Sequence, residues 1–245
     1  MEAREVEFFL KQMKSNISRA TNGSVILTGF LNEQQQSLLL QIPHSSVEIF
    51  LDGGFEKAEM KRAIFSSFKV DISSFKILIY EIKYNKRYLT LNHRKILGSL
   101  MGLGIKRESI GDIVLIEDRA YFAVTSDIAF FVVSEFKTIH GIPIDLEETK
   151  DRIEIKKSLK IETHIVSSLR LDCIVASAYK KSRSAVEDMI QNGLVALNHI
   201  ECLNGSKQVS TSDVISVRHK GRVYIEEIGG KTKSNRIIIK LGFLI

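Results

Sequence analysis

Residues 169–198 read LRLDCIVASAYKKSRSAVEDMIQNGLVALN: two short apolar-periodic segments joined by a basic knuckle, Lys180-Lys181-Ser182-Arg183. Leu171, Ile174, Val175 and Ala178 recur at helical spacing before the knuckle, and Val186, Met189 and Ile190 recur after it. Ser182 or Ser184 caps the second helix, the latter with Glu187 three residues on at capping-box spacing. Gly193 supplies a left-handed stop, and Val195–Leu197 reads as a strand entering a turn. Positive charge and helix starts therefore meet at one corner. Free N–H groups and the positive end of a helix dipole favour phosphate. Arg183, in a first helical turn and flanked by Arg170, Lys180, Lys181 and Ser182, reads as the centre of a contact to an RNA backbone. Asp172 reads as a partner that orients a basic neighbour, or as a helix cap.

The charge distribution points the same way. Residues 164–245 hold 12 Lys+Arg against 7 Asp+Glu, while the rest of the chain holds 23 against 22. An anion-facing surface is expected in the last third. Further basic clusters there, Arg218, Lys220 and Arg222 around Gly221 and then Lys231, Lys233 and Arg236, fall at expected strand ends, where they would extend a phosphate track.

Working outward, the chain has room for two or three small domains. Val6, Phe9, Leu10, Met13 and Ile17 mark a first helix, Ser24–Thr28 a strand, and Asn32 with Gln35 a capping box opening a helix that Pro43 ends. Val47–Leu51 alternates like a strand, Gly53-Gly54 turns, and Glu56–Phe65 reads as a further helix. This makes a small N-terminal α/β domain, 1–72. Lys76–Lys83, a helix capped by Asn92, the hairpin Ile113–Val124, a helix capped by Asp127 (with Phe130–Val133 reading alternatively as a strand) and the alternating Arg152–Lys157 give the order β-α-β-β-α-β. That order predicts an RRM-like split-βαβ middle domain, 73–163. An αα-plus-β-strand RNA-binding domain, 164–245, completes an α+β protein.

Other chemistries lack their residues. No apolar run approaches the ~20 residues of a membrane helix, and Glu2, Arg4, Glu5 and Glu7 do not open a secretory signal. Cys173 and Cys202 make no disulfide framework, which fits a reducing cytoplasm. Gly102-Leu103-Gly104 has Arg107 at the third glycine position and no preceding strand, so it ends a helix rather than cradling a nucleotide. Lys106 and Arg107 then project from the adjoining loop as a secondary RNA contact. Tyr121 and Phe122 faintly echo a base-stacking strand, but burial suits them better. Adjacent carboxylates such as Glu147-Glu148 diverge, and the histidines and cysteines lack zinc spacing. No catalytic residue, metal or cofactor is expected; the alternatives are an rRNA-modifying enzyme in the N-terminal half and a cell-division-linked interaction protein.

The segment 169–198 resembles the RNA-binding domain named after ribosomal small-subunit protein four. The resemblance runs through Arg170-Leu171-Asp172, Ser182-Arg183, Ile190, Gly193, Val195, Asn198 and Asp213-Val214-Ile215. His199 departs from the glycine usual after the asparagine; histidine tolerates positive φ, so the turn should survive. Over essentially the whole chain, HRKILGSLMGLGIKRESIGDIV (93–114), Gly53–Glu59, Gly221-Arg222 and Thr232-Lys233 resemble the bacterial YlmH-type RNA-binding proteins. Lys95 and Asn235 depart from that pattern. The resemblance implies a cytoplasmic, non-catalytic factor on the large ribosomal subunit during rescue of stalled translation; a monomer is expected. It would contact ribosomal RNA and peptidyl-tRNA, and the family is also associated with cell-division genes.

Overall fold

Phe9, Met13 and Ala20 bury one side of an otherwise polar segment, which in the computed structural model is helix α1 (Ala3–Thr21). The structure describes residues 3–151, 153–155 and 159–244, in two compact units, one within 1–155 and one within 156–245. None of its described helices is long and apolar enough to cross a membrane. The architecture is α+β.

After α1 come β1 (Ile26–Leu31), α2 (Glu33–Leu40), β2 (Glu48–Asp52) and β3 (Lys61–Ser66). The capping box at Asn32 is present: Gln35 N donates to the Asn32 side chain and Asn32 N to that of Gln35, both at 2.9 Å. The segment 56–65, expected as a helix, is a correction. Its second half is β3, the central strand of an antiparallel sheet ordered β1-β3-β2. Ala63, Ile64 and Phe65 are buried on both faces, and a strand buried on both sides reads as a continuous apolar run without alternation. Arg62 is buried with them because its guanidinium has backbone acceptors, Thr28 O at 2.7 Å, Phe75 O at 2.7 Å and Lys76 O at 2.9 Å.

The chain continues through β4 (Ile77–Tyr84), α3 (His93–Gly102), β5 (Ile110–Ile116), β6 (Arg119–Thr125), α4 (Ser126–Glu135), β7 (Thr138–Ile139) and β8 (Ile142–Thr149). The all-antiparallel sheet is ordered β5-β6-β4-β8-β7, the split-βαβ topology. Its last full strand is β8, not 152–157; of that segment Arg152, Lys156 and Lys157 lie outside the described residues. Thr125 rather than Asp127 is the α4 N-cap. One sheet face carries α3 and α4 over Tyr80, Ile82, Phe122 and Val124, with Ile96, Leu100, Val132 and Phe136.

The opposite face is covered too. Ile79, Val114, Tyr121 and Ala123 pack against Phe30, Phe55 and Ala58 in a second core. Two extended segments lie together over it: Glu56 N donates to Ile153 O at 2.9 Å and Ile155 N to Glu56 O at 3.0 Å. Burying Phe30 and Phe55 contributes roughly 2–3 kcal/mol each. Residues 1–72 and 73–155 therefore share a core within one unit.

The second unit contains β9 (Leu159–Val166), α5 (Leu171–Ala178), α6 (Arg183–Gln191), β10 (Val195–Leu197), β11 (Ile200–Glu201), β12 (Val214–Val217), β13 (Gly221–Lys231) and β14 (Ile237–Leu244). Its sheet is ordered β11-β10-β12-β13-β14-β9, and α5 and α6 pack on one face. The expected boundary at 163/164 falls inside β9, which pairs with β14 from Leu159↔Leu244 to Val166↔Ile237.

Candidate RNA interface

Lys180 ends α5 in the left-handed conformation (φ 50°), and Lys181 N closes the helix on Ala176 O at 3.0 Å. Glycine is the residue usually found there; a lysine costs about 1 kcal/mol more. Ser182 then caps α6: its Oγ accepts from Ala185 N at 3.2 Å and its carbonyl from Val186 N at 3.1 Å. Of the two candidate caps it is Ser182 that serves, with Ser184 Oγ 3.2 Å from its hydroxyl. Gly193 closes α6 at φ 67°, with Gly193 N on Ile190 O at 3.0 Å and Leu194 N on Met189 O at 2.9 Å.

Two arginines converge on one carboxylate. Arg170 donates from Nε and Nη2 to the two Asp172 oxygens at 3.1 and 2.8 Å, and Arg183 Nη2 donates to Asp172 Oδ2 at 3.0 Å. Asp172 is buried in the first turn of α5, whereas both guanidinium groups reach solvent. Hydrogen bonds from Arg170, then from Arg183, hold its carboxyl well below the usual carboxylate range, against the opposing effect of burial. The pair is thus fixed in direction without losing its outward faces. Lys180 and Lys181, also exposed, have no anionic partner among the described residues.

The helix starts are not equivalent. At α5, Leu171 N donates to Lys207 O at 2.8 Å and Asp172 N to Gly205 O at 3.0 Å. Those amides are occupied by the loop before β12, which corrects the expectation that both helix starts face a ligand. At α6, the N–H groups of Arg183 and Ser184 have no acceptor among the described residues.

The other sequence-predicted cations divide. The β12–β13 turn carrying Arg218 and Lys220 lies beside the end of α5, since Tyr179 Oη donates to Gly221 O at 3.2 Å. Burial pushes the Tyr179 hydroxyl up to about 12, so it remains a donor at neutral pH. This brings Arg218 and Lys220 toward Lys180 and Lys181. Arg222 does not join them: Val223 and Ile225 face the core under the helices, so the alternation of β13 turns Arg222 to the other face. Lys231, Lys233 and Arg236 sit at the far end of the same 11-residue strand, about 30 Å away at ~3.3 Å per residue, and form a separate cluster. Their turn is held by Thr232 N on Arg236 O at 2.7 Å, with Asn235 left-handed at φ 59°. His199, at φ 67° beside Asn198 at φ 50°, forms the two-residue turn between β10 and β11.

In the first unit Lys106 is exposed, but Arg107 turns back to donate to its own Ile110 carbonyl, so it does not project from the loop as expected. Sequence reasoning misses Arg94 and Lys95, which line an open groove along α3. Their signal is present: residues 82–107 hold seven Lys+Arg and no Asp or Glu, hidden when charge is totalled over longer stretches.

Comparison with known proteins joins the two units. Residues 71–152 match the family model described as "Putative RNA-binding domain in YlmH", and residues 169–215 match the S4 domain. The chain is 33% identical over 215 residues to "Ribosome-associated protein quality control protein P2" of Bacillus subtilis (strain 168), covering 86% of this chain and 84% of that protein. A solved structure, "Cell division protein ylmH from Streptococcus pneumoniae", is 29% identical with a TM-score of 0.52, covering 61% of this chain and 93% of that one. With the split-βαβ sheet, the α5–α6 corner and likeness to a relative over most of both lengths, the chain belongs to the YlmH family of proteins, with a C-terminal S4 domain.

Proposed function

We propose that this protein is a non-catalytic, cytoplasmic RNA-binding factor that associates with the large ribosomal subunit. In this reading it contacts ribosomal RNA and peptidyl-tRNA and acts, as a monomer, in rescue of stalled translation. The observation that carries it is the α5–α6 corner, where Asp172 holds Arg170 and Arg183 in place beside Lys180 and Lys181, which have no anionic partner among the described residues. Fixed guanidinium groups, flexible ammonium groups and the open N–H groups of α6 suit a phosphate backbone, which a protein grips by neutralising charge and releasing counterions. The quality-control name of the Bacillus relative supports the ribosomal setting. Among the described residues no group of His, Cys, Asp and Glu is gathered as for a metal, and the buried carboxylate of the corner is engaged with arginine.

Replacing Lys181 and Arg183 together by alanine tests the site. Binding to purified large-subunit ribosomal RNA should weaken about tenfold or more at ~0.15 M salt. The slope of log affinity against log salt should become shallower by up to ~2, at ~0.9 for each phosphate left without its cation. An unchanged affinity and slope would remove the corner as the RNA site. The name of the Streptococcus structure favours a second reading, a division-linked interaction protein; such a protein would keep its partners after ribonuclease digestion, and a ribosomal factor would not.

A further inference from the structure

We propose that the central domain binds RNA through the outer face of α3 rather than through its sheet, with a phosphate–sugar backbone lying along the groove formed by Arg94, Lys95, Gly98, Ser99 and His140. The inference rests on the RNA-binding reading above and names a surface for it.

The sheet face is closed. Proteins of this topology can read RNA by stacking bases on exposed aromatic rings of the central strands. Here Tyr121 is 4% exposed, beneath the core built by Phe30, Phe55 and Ala58. The Arg119 guanidinium sits 5.2 Å from the Tyr121 ring centroid, and its Nε donates to buried Glu81 at 3.0 Å. A base would have to displace a folded part of the same unit to reach that ring.

The α3 face has the opposite character. In the acid-free run 82–107, Lys83 is neutralised by Glu81 at 2.9 Å and Glu147 at 3.0 Å, and Lys86 by Asp118 at 3.1 Å. Arg107 folds onto its own backbone. Arg87, Arg94 and Lys106 have no anionic partner among the described residues, and Lys95 Nζ donates only to Thr90 O at 2.7 Å. Arg94, Gly98 and Gly102 share one helical stripe, with Lys95 and Ser99 beside it. Arg94, Lys95, Gly98 and Ser99 open onto a groove of about 670 Å³ that Asn92 and His140 complete, with no carboxylate among its described lining residues.

The glycines give the second argument. Gly98 lies inside α3, where glycine costs about 1 kcal/mol relative to alanine. A Cβ added at Gly98 would meet nothing within 4 Å, so no neighbour among the described residues requires the space. A smooth stripe flanked by cations lets a polyanion approach the helix backbone closely. An unpaired positive surface selects RNA over an apolar partner by charge.

Because no neighbour needs the gap, stability and binding should separate in the full-length protein. Gly98→Gln should leave the Tm unchanged or higher, since glutamine is the better helix former, yet weaken binding to purified large-subunit ribosomal RNA by about fivefold or more. Arg94→Gln with Lys95→Gln should lower affinity about tenfold and make the salt slope shallower by up to ~2. If both variants bind as the wild type does while the Lys181/Arg183 variant is weakened, the α3 surface is wrong and the RNA-binding reading stands, whatever protein this face then holds. If the wild type binds no RNA, both fail together.

Discussion

Asp172 carries more of the candidate interface than its sign suggests. A negative residue inside an RNA contact lowers net attraction, yet its carboxylate fixes two cations that would otherwise sample many rotamers. Asp172→Asn raises the local charge by one and should nevertheless weaken RNA binding several-fold; tighter binding in a filter or fluorescence titration would mean that charge alone matters. The variant should also lose about 1–2 kcal/mol of stability at pH 7, toward the lower end of values for hydrogen bonds to charged groups because both arginines are solvent-exposed. The sign with pH follows from the depressed carboxyl. Its stabilisation is complete above the unfolded value near ~4 and is lost as pH falls through the lower folded one. The stability gap between wild type and variant in urea melts should therefore close below about pH 4.

At the scale of elements, β3 shows where local pattern fails. Its apolar run reads equally as buried strand or helix, and what decides is that β1 and β2 flank it. Buried Arg62 is the consequence, a charge held in the core by three carbonyls. Arg62→Met keeps the volume but strands those acceptors, so the first unit should lose about 3 kcal/mol, seen as an earlier urea transition. A midpoint equal to wild type would show the guanidinium to be dispensable. By contrast α2, α3 and α6 are legible because their caps are local: Asn32, Asn92 and Ser182 accept from backbone three residues on, as their spacing indicates. The groove on α3 is not legible, since empty space beside Gly98 is a property of everything that does not pack there.

For the whole molecule, the position of β9 makes a prediction about fragments. A fragment 156–245 keeps the full β9–β14 pairing and should unfold cooperatively on its own. A fragment 167–245 lacks that edge strand, bares β14 and the residues it covers, and should be less stable and prone to associate. Equal melting curves for the two would contradict this account of the unit. The α5–α6 corner, its basic residues and the run β4-α3-β5-β6-α4 of the central domain follow from the sequence alone, because caps, periodicity and turn residues act over a few neighbouring positions. Which groups stay available was settled by tertiary packing: Lys83 is held by Glu147 and Lys86 by Asp118, Arg222 is turned to the far sheet face, and the aromatic strand of the central domain is covered. Availability depends on partners distant in the chain, and the energy of burying them is shared among segments that no local window contains together.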